Sequence, residues 1–392
     1  MIVDVEAIVA ATERAIRITN RPVALHEPLF VGREWDYLKR CVDSGWVSSV
    51  GCFVDEFEAR LAVLCGTSSA VAIVNGTAAL HIALRVAGVE PDDEVVVPTL
   101  TFVATANAVA HCGAVPHFVD STESGLGMDP QKLKGHLQRI AVRRGEALVN
   151  GETGRPIRAV IPVHIFGHPV DMEVLTAVCL EFGLPIIEDA TESLGSTYHG
   201  KPCGGFGTAG VLSFNGNKIV TTGGGGALLT NDVALGRRAK HVTTTAKLPH
   251  EWAYVHDEIA WNYRMPNLNA ALGVAQLEGL DGFVAAKRAL ARRYDEAFAG
   301  VRGVTFVKEP KGTASNYWLN AILLDDESGK ARDAVLQATH DAGLLTRPAW
   351  TLMHRLAMFQ GSPRSDLSVA ESIERRLVNL PSSAILGMND VA

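Results

Sequence analysis

From residue 54 onward, short continuous apolar runs alternate with stretches whose apolar positions recur at helical spacing. Residues 54–65 (VDEFEARLAVLC) have the helical period, 70–74 (AVAIV) form a buried-strand run, and 78–87 (AALHIALRVA) are again helical, with Gly88 placed to end the helix. Strand runs follow at 94–98, 115–120, 159–163, 185–188, 209–214 and 226–230, with helical stretches over 102–112 and near 171–181. Strand, helix, strand in this rhythm predicts a mostly parallel sheet with helices on both faces. Ligands in such sheets bind beyond the carboxyl ends of the strands, so the residues just after each run carry most weight.

One long helix is predicted over about 267–299. After it, short strands at 304–308 and 317–324 and a helix at 331–342 describe a smaller α+β unit. The expected division is a large α/β domain over 1–275, with an N-terminal helical extension, and a small C-terminal domain over 276–392. Lys and Arg total 36 against 43 Asp and Glu, a net charge of −7, which lacks the basic field of a nucleic-acid binder. No stretch approaches the ~20 apolar residues of a membrane helix. The six cysteines form no C-x-x-C pair and are read as buried, reduced thiols of a cytoplasmic protein.

Four segments at strand ends carry candidate chemistry. Asn75-Gly76-Thr77 opens a helix, either with backbone N–H groups facing an anion or with Thr77 as a plain N-cap. Asp189, in IIEDATESLG, is either a helix N-cap or a carboxylate paired with a cation in the cleft. Lys218, in SFNGNKIVTTGGGG, is either a surface lysine or an amine nucleophile beside a glycine run. WNYRMPNLNAALG starts a helix at Pro266 and Asn267. His164 and His168 are four residues apart, but Gly167 and Pro169 forbid the regular helix a metal pair uses, and no metal is expected.

In order, NGTAAL, PTLTFVATANAV, IEDATESLGS, SFNGNK, GGGGALLTND and NYRMPNLNAALG resemble the DegT/StrS-type sugar aminotransferases. These are pyridoxal 5′-phosphate (PLP) enzymes of the aspartate aminotransferase (type I) fold. The likeness runs from about residue 25 to 385. DSGWVSSVG, FNGNKIVTTGGGG and LLTRPAWTLMH are most similar to the LegC-like branch, of legionaminic acid and bacillosamine-type pathways. That resemblance implies transfer of an amino group from glutamate to C4 of a nucleotide-linked 4-keto-6-deoxy-N-acetylhexosamine.

The resemblance also implies residue roles. Lys218 matches the Schiff-base lysine, nucleophile first and proton carrier afterwards, and Asp189 the acid paired with the pyridinium nitrogen. Gly76, Thr77 and Ser213 match phosphate-binding positions, and Phe102 the aromatic stacked on the cofactor ring. Asn262 matches an asparagine that reaches the phosphate from the partner subunit, which implies a homodimer with shared active sites. Glu192 stands near the cofactor 3-hydroxyl where much of the family has Gln or His, and an acid there is a feature of the N-acetylated 4-keto sugar branch. Gly224 replaces the glutamate of the common G-E-G-G motif, so no carboxylate role transfers there. Ser48, Ser49, Asn316, Arg347 and His354 fall in segments that usually face the cleft and are read as substrate contacts. Trp46, Trp252, Trp261, Trp318 and Trp350 are read as core or interface rather than sugar platforms. Three alternatives stay open: amination at C3 or of another nucleotide-linked keto sugar, a PLP-dependent sugar dehydratase, and a non-catalytic PLP-binding regulatory protein. The presence of Lys218 counts against the dehydratase, and Lys218 with Asp189 against the regulatory protein.

Overall fold

The computed structural model describes residues 3–17 and 20–390. Seven strands make the central sheet: β1 (Ser69–Ile73), β2 (Glu94–Pro98), β3 (Val115–Val119), β4 (Ile157–Val160), β5 (Ile187–Asp189), β6 (Ala209–Ser213) and β7 (Gly226–Thr230). They lie in the order β1-β7-β6-β5-β4-β2-β3, with single bridges from Val160 to Ile186 and Val163 to Asp189 joining the two halves. The β3–β2, β2–β4 and β6–β5 pairs and both bridges are parallel, whereas β7 runs antiparallel to β1 and β6. The expected mostly parallel sheet is present with this one reversed strand. Reversal brings the start of β7, at Gly226, to the edge where β1 and β6 end.

Successive residues of these strands feed opposite cores. Val71, Ile73, Val211 and Leu228 pack with α4 (Gly76–Val86) and α5 (Val103–His111). Ala72, Leu212, Ala227 and Leu229 pack instead with α3 (Cys52–Cys65) and α9 (Asn267–Glu278). This is the two-sided burial that makes parallel-sheet strands read as unbroken apolar runs. The outer helices are α2 (Glu34–Ser44), α6 (Pro130–Ile140), α7 (Met172–Phe182) and α8 (Val233–Thr243).

The single helix predicted over 267–299 is two. α9 stops at Glu278, and α10 (Leu280–Phe298) begins after Gly279. A Cβ at Gly279 would lie 2.8 Å from the Phe283 ring, so only glycine lets that ring close over the break. The small antiparallel sheet is β8 (Val304–Phe306), β9 (Asn320–Leu324), β10 (Arg347–Pro348) and β11 (Leu377–Leu380), in the order β8-β9-β11-β10. The strand expected from 317 begins only at Asn320, because Tyr317 sits at φ 47° in the left-handed region. Helices α11 (Lys330–Asp341) and α12 (Ser368–Arg376) cover this sheet. The first helix, α1 (Val5–Ile16), packs Ile8, Ala11, Ala15 and Ile16 against Leu290, Tyr294 and Val335, so its core is shared with the C-terminal unit. Five cysteines are buried, and Cys52 is exposed, which corrects the expectation of six buried thiols. Among the described residues, no helix is long and apolar enough to cross a membrane.

Candidate active site

The carboxyl ends of β1, β2, β5 and β6 surround a cavity of about 320 Å³. Its wall includes Gly76, Thr77, Phe102, Asp189, Glu192, Ser213 and Lys218, so seven predicted site residues from distant parts of the chain meet there.

At one end stands the N-terminus of α4. Asn75, not Thr77, is the N-cap: its Oδ1 accepts from Ala78 N–H at 2.8 Å. The Thr77 side chain therefore stays available to the cavity it lines. A Cβ at Gly226 would lie 2.5 Å from the Asn75 carbonyl carbon and 2.7 Å from Gly76 N. Glycine at the start of β7 thus lets this turn settle against the sheet. Ser213, the last residue of β6, reaches the same point, with its Oγ 3.3 Å from where a Cβ on Gly76 would stand. A helix N-terminus with a hydroxyl on each side suits a phosphate.

Asp189 ends β5 and is buried. Its Oδ2 accepts from Thr105 Oγ1 at 2.7 Å and its Oδ1 from Thr191 N–H at 3.2 Å, while Thr105 also meets Thr101 Oγ1 at 3.0 Å. Among the described residues, no lysine, arginine or histidine forms an ion pair with Asp189. A buried carboxylate with hydrogen bonds but no cation fits a cationic ring nitrogen. The cradle at α4 and this carboxylate together match what PLP requires.

Lys218 follows a turn closed by its own N–H to Asn215 O at 3.0 Å. Its Nζ lies 3.5 Å from Glu192 Oε1 and 3.8 Å from the centre of the Trp318 ring. Glu192 Oε2 accepts from Phe166 N–H at 2.8 Å. Burial pushes the Glu192 carboxyl up to about 7, against the pull of Lys218. Phe102 is half-exposed at the mouth, its ring 6.4 Å from that of Trp350.

Other expected contacts lie elsewhere. Asn316 is fully buried and does not line the cavity: its Nδ2 donates to Glu192 O at 3.0 Å and Leu194 O at 2.9 Å, and its Oδ1 accepts from Trp318 N–H. The substrate contact expected of Asn316 is thus corrected to a strut behind the Glu192 loop. Gly167, at φ 94°, is packed against it, since a Cβ there would lie 1.9 Å from Asn316 Oδ1. His354 is buried between Thr99 Oγ1 (2.8 Å) and Glu371 Oε1 (3.2 Å), again outside the cavity. Arg347 is exposed beside His340 and the Thr346 carbonyl on the small unit. Ser48 and Ser49 lie on the α2–α3 loop, where Ser48 O accepts from Asn267 N–H, and Asn262 is exposed with its Oδ1 taken by Arg264 Nε. None of these four lines the cavity of its own chain.

The sequence reading missed Thr105, Trp318 and Trp350. Thr105 sits in the first turn of α5, just past the strand-end positions that drew attention. Trp318 and Trp350 line the cavity although they were read as core or interface. They come from the small unit, where no strand-end rule points to them.

The model of the DegT/DnrJ/EryC1/StrS aminotransferase family matches residues 30–392. A Bacillus subtilis (strain 168) protein described as a putative pyridoxal phosphate-dependent aminotransferase, EpsN, is 37% identical over 93% of this chain and 92% of that protein. GDP-perosamine synthase of Vibrio cholerae is 36% identical over 92% of this chain and 94% of that protein. The crystal structure of a DegT DnrJ EryC1 StrS aminotransferase from Brucella abortus superposes with a TM-score of 0.80 at 30% identity, covering 91% of this chain and 92% of that one. With its cavity at the strand ends and this match over nearly its whole length, the chain belongs to the DegT/DnrJ/EryC1/StrS aminotransferase family.

Proposed function

We propose that this aminotransferase uses PLP to move an amino group from glutamate to C4 of a nucleotide-linked 4-keto-6-deoxy-N-acetylhexosamine. The observation that carries the cofactor assignment is Asp189, a buried carboxylate without a cation, in one cavity with Lys218 and the α4 N-terminus. When bound, PLP supplies an electron sink conjugated to the reacting carbon.

The chain's own residues do the rest. Gly76, Thr77 and Ser213 hold the phosphate with N–H and hydroxyl groups. Asp189 keeps a proton on the ring nitrogen, and Thr105 and Thr191 fix its carboxylate. Lys218 Nζ is nucleophile and then proton carrier. Glu192, pushed up to about 7 by burial, takes or returns a proton beside that amine near neutral pH. Phe102, half-exposed at the cavity wall, would pack against the cofactor.

Two acceptors compete. The resemblance of DSGWVSSVG and LLTRPAWTLMH, and an acid at Glu192, support the N-acetylated sugar. Relatives named GDP-perosamine synthase in Vibrio cholerae, Caulobacter vibrioides and Escherichia coli O157:H7, at 35–36% identity, favour a GDP-linked sugar aminated at the same carbon. Steady-state assays with UDP-linked N-acetylated and GDP-linked 4-keto sugars decide between them. A tenfold or larger advantage in kcat/KM, about 1.4 kcal/mol, is expected for the N-acetylated substrate, and the reverse preference replaces it with the GDP-linked one. C3 amination is excluded or established by NMR of the product.

The enzyme is further proposed to be a cytoplasmic homodimer with shared sites. Exposed Trp46 and Val50 around one cavity, Trp252 and Tyr254 on the hairpin that pairs 246–248 with 255–257, and Ile259 just past it support an interface. Ile259 is 94% exposed in the single chain. Asn262 lies just beyond that hairpin. Mixing Lys218→Ala with Asn262→Ala chains is expected to put both lesions in one site of each heterodimer and restore up to about half of the wild-type sites. Heterodimers no more active than Asn262→Ala homodimers exclude a shared site.

A further inference from the structure

We propose that Trp318 is a positioning residue whose indole face is the resting place of the Lys218 ammonium whenever that amine is not bonded to cofactor. The proposal rests on the assignment of Lys218 made above. The Nζ stands 3.8 Å from the centre of the Trp318 ring, within cation–π range, and 3.5 Å from Glu192 Oε1.

Trp318 is held at three points, one on the ring and two on its backbone. Trp318 Nε1–H donates to Asn217 O at 2.8 Å, the residue before Lys218, so the platform and the lysine's backbone are tied together. Trp318 N–H donates to Asn316 Oδ1 at 2.8 Å. Its carbonyl accepts at 3.1 Å from Lys287 Nζ, a fully buried group that also donates to Ser382 O. The indole therefore keeps its place while the amine moves.

Charged groups around Lys218 are few. Glu192 and Asp189 face it from the end of β5 and the loop beyond. His26, from the N-terminal segment, lies on the Trp318 side with its ring 6.3 Å from the indole and both nitrogens without partners. Burial, and then Lys287 and Lys218, keep His26 well below its ordinary range and hence neutral. The segments carrying Phe102 and Trp350 present their rings and the Thr101 and Thr105 hydroxyls, and no charged group, to the cavity. A π face attracts the ammonium without a directional bond, so Lys218 can leave it and return. A second carboxylate in that place would hold the amine by hydrogen bonds that each excursion must break.

The test follows Lys218 itself, not turnover. Enzyme loaded with pyridoxamine 5′-phosphate, which leaves the lysine free, is treated with an amine-acylating reagent at about pH 7 and about pH 10. Labelling of the Lys218 peptide is read by mass spectrometry. The ratio of the two rates reports how firmly the charged form is held and cancels changes in access. Trp318→Leu removes the face and is expected to raise the pH 7 to pH 10 ratio by a factor of up to about 30. Trp318→Phe keeps a ring but loses the bond to Asn217, and is expected to raise it less. If the leucine variant does not fold, Trp318→Met carries the same expectation. A ratio unchanged from wild type overturns the proposal. So does an equal rise in the leucine and phenylalanine variants, which assigns the effect to the Asn217 bond. Absence of a borohydride-fixed PLP adduct on wild-type Lys218 overturns the functional assignment and this proposal with it. A normal adduct with an unchanged ratio overturns this proposal alone.

Discussion

Lys218→Ala is expected to fold, to retain part of its affinity for PLP and to lose at least about 10⁴-fold in turnover. General acid–base assistance alone contributes about 10²–10⁴, and the variant loses the covalent route as well. The fold has little to lose. The Lys218 side chain touches the Trp318 face and the Glu192 carboxyl at the cavity wall rather than a core. Glu192, no longer drawn down by the ammonium, stays protonated and satisfied by Phe166 N–H. The checks are the yellow absorbance of the lysine-bound cofactor, absent in the variant, and the melting temperature, unchanged within a few degrees. Activity within about a hundredfold of wild type removes Lys218 from both roles.

The second large effect is at Asp189. Asn at this position keeps the volume and one acceptor for Thr191 N–H, and the Thr105 hydroxyl can turn to accept from the new amide. Thr105 remains tied to Thr101. What is lost is the charge that keeps the ring nitrogen protonated. Asp189→Asn is expected to slow both half-reactions by about 10² or more, as removal of a charge-assisted partner in a dry site does. Rapid-mixing measurements with glutamate and with keto sugar read the two halves separately. Unchanged rates mean that another group holds that nitrogen.

The sheet was legible because burial on both faces leaves little but Val, Ile, Leu and Ala in its strands. β2 runs over 94–98 as expected. The reversal of β7 was not legible, since a short apolar run reads the same in either direction. Gly279 gave no warning either: one glycine within a helical pattern is ordinary, and the Phe283 ring that makes it a break is visible only in space. At the candidate site, residues placed by strand ends line one cavity, Asp189 and Lys218 among them. Asn316 was misjudged because Trp318, two residues on, does line the cavity, whereas the Asn316 amide turns inward to three backbone groups. Thr105 and the two tryptophans act through tertiary placement, which no local pattern encodes.

The docking of α1 on α10 and α11 has a consequence for synthesis. The ribosome makes the apolar face of Ile8, Ala11 and Ala15 about 280 residues before Leu290 and Tyr294 exist to cover it. At about 5–20 residues per second, that face waits on the order of tens of seconds. β1 likewise waits for β7, the strand it pairs with along its length. The first helix therefore stays without its tertiary partners, and the first strand without its ladder, until late in translation. A fusion that anchors α1 elsewhere therefore weakens the far end of the polypeptide, where Tyr294 and Val335 lose their lid, rather than the end to which it is attached.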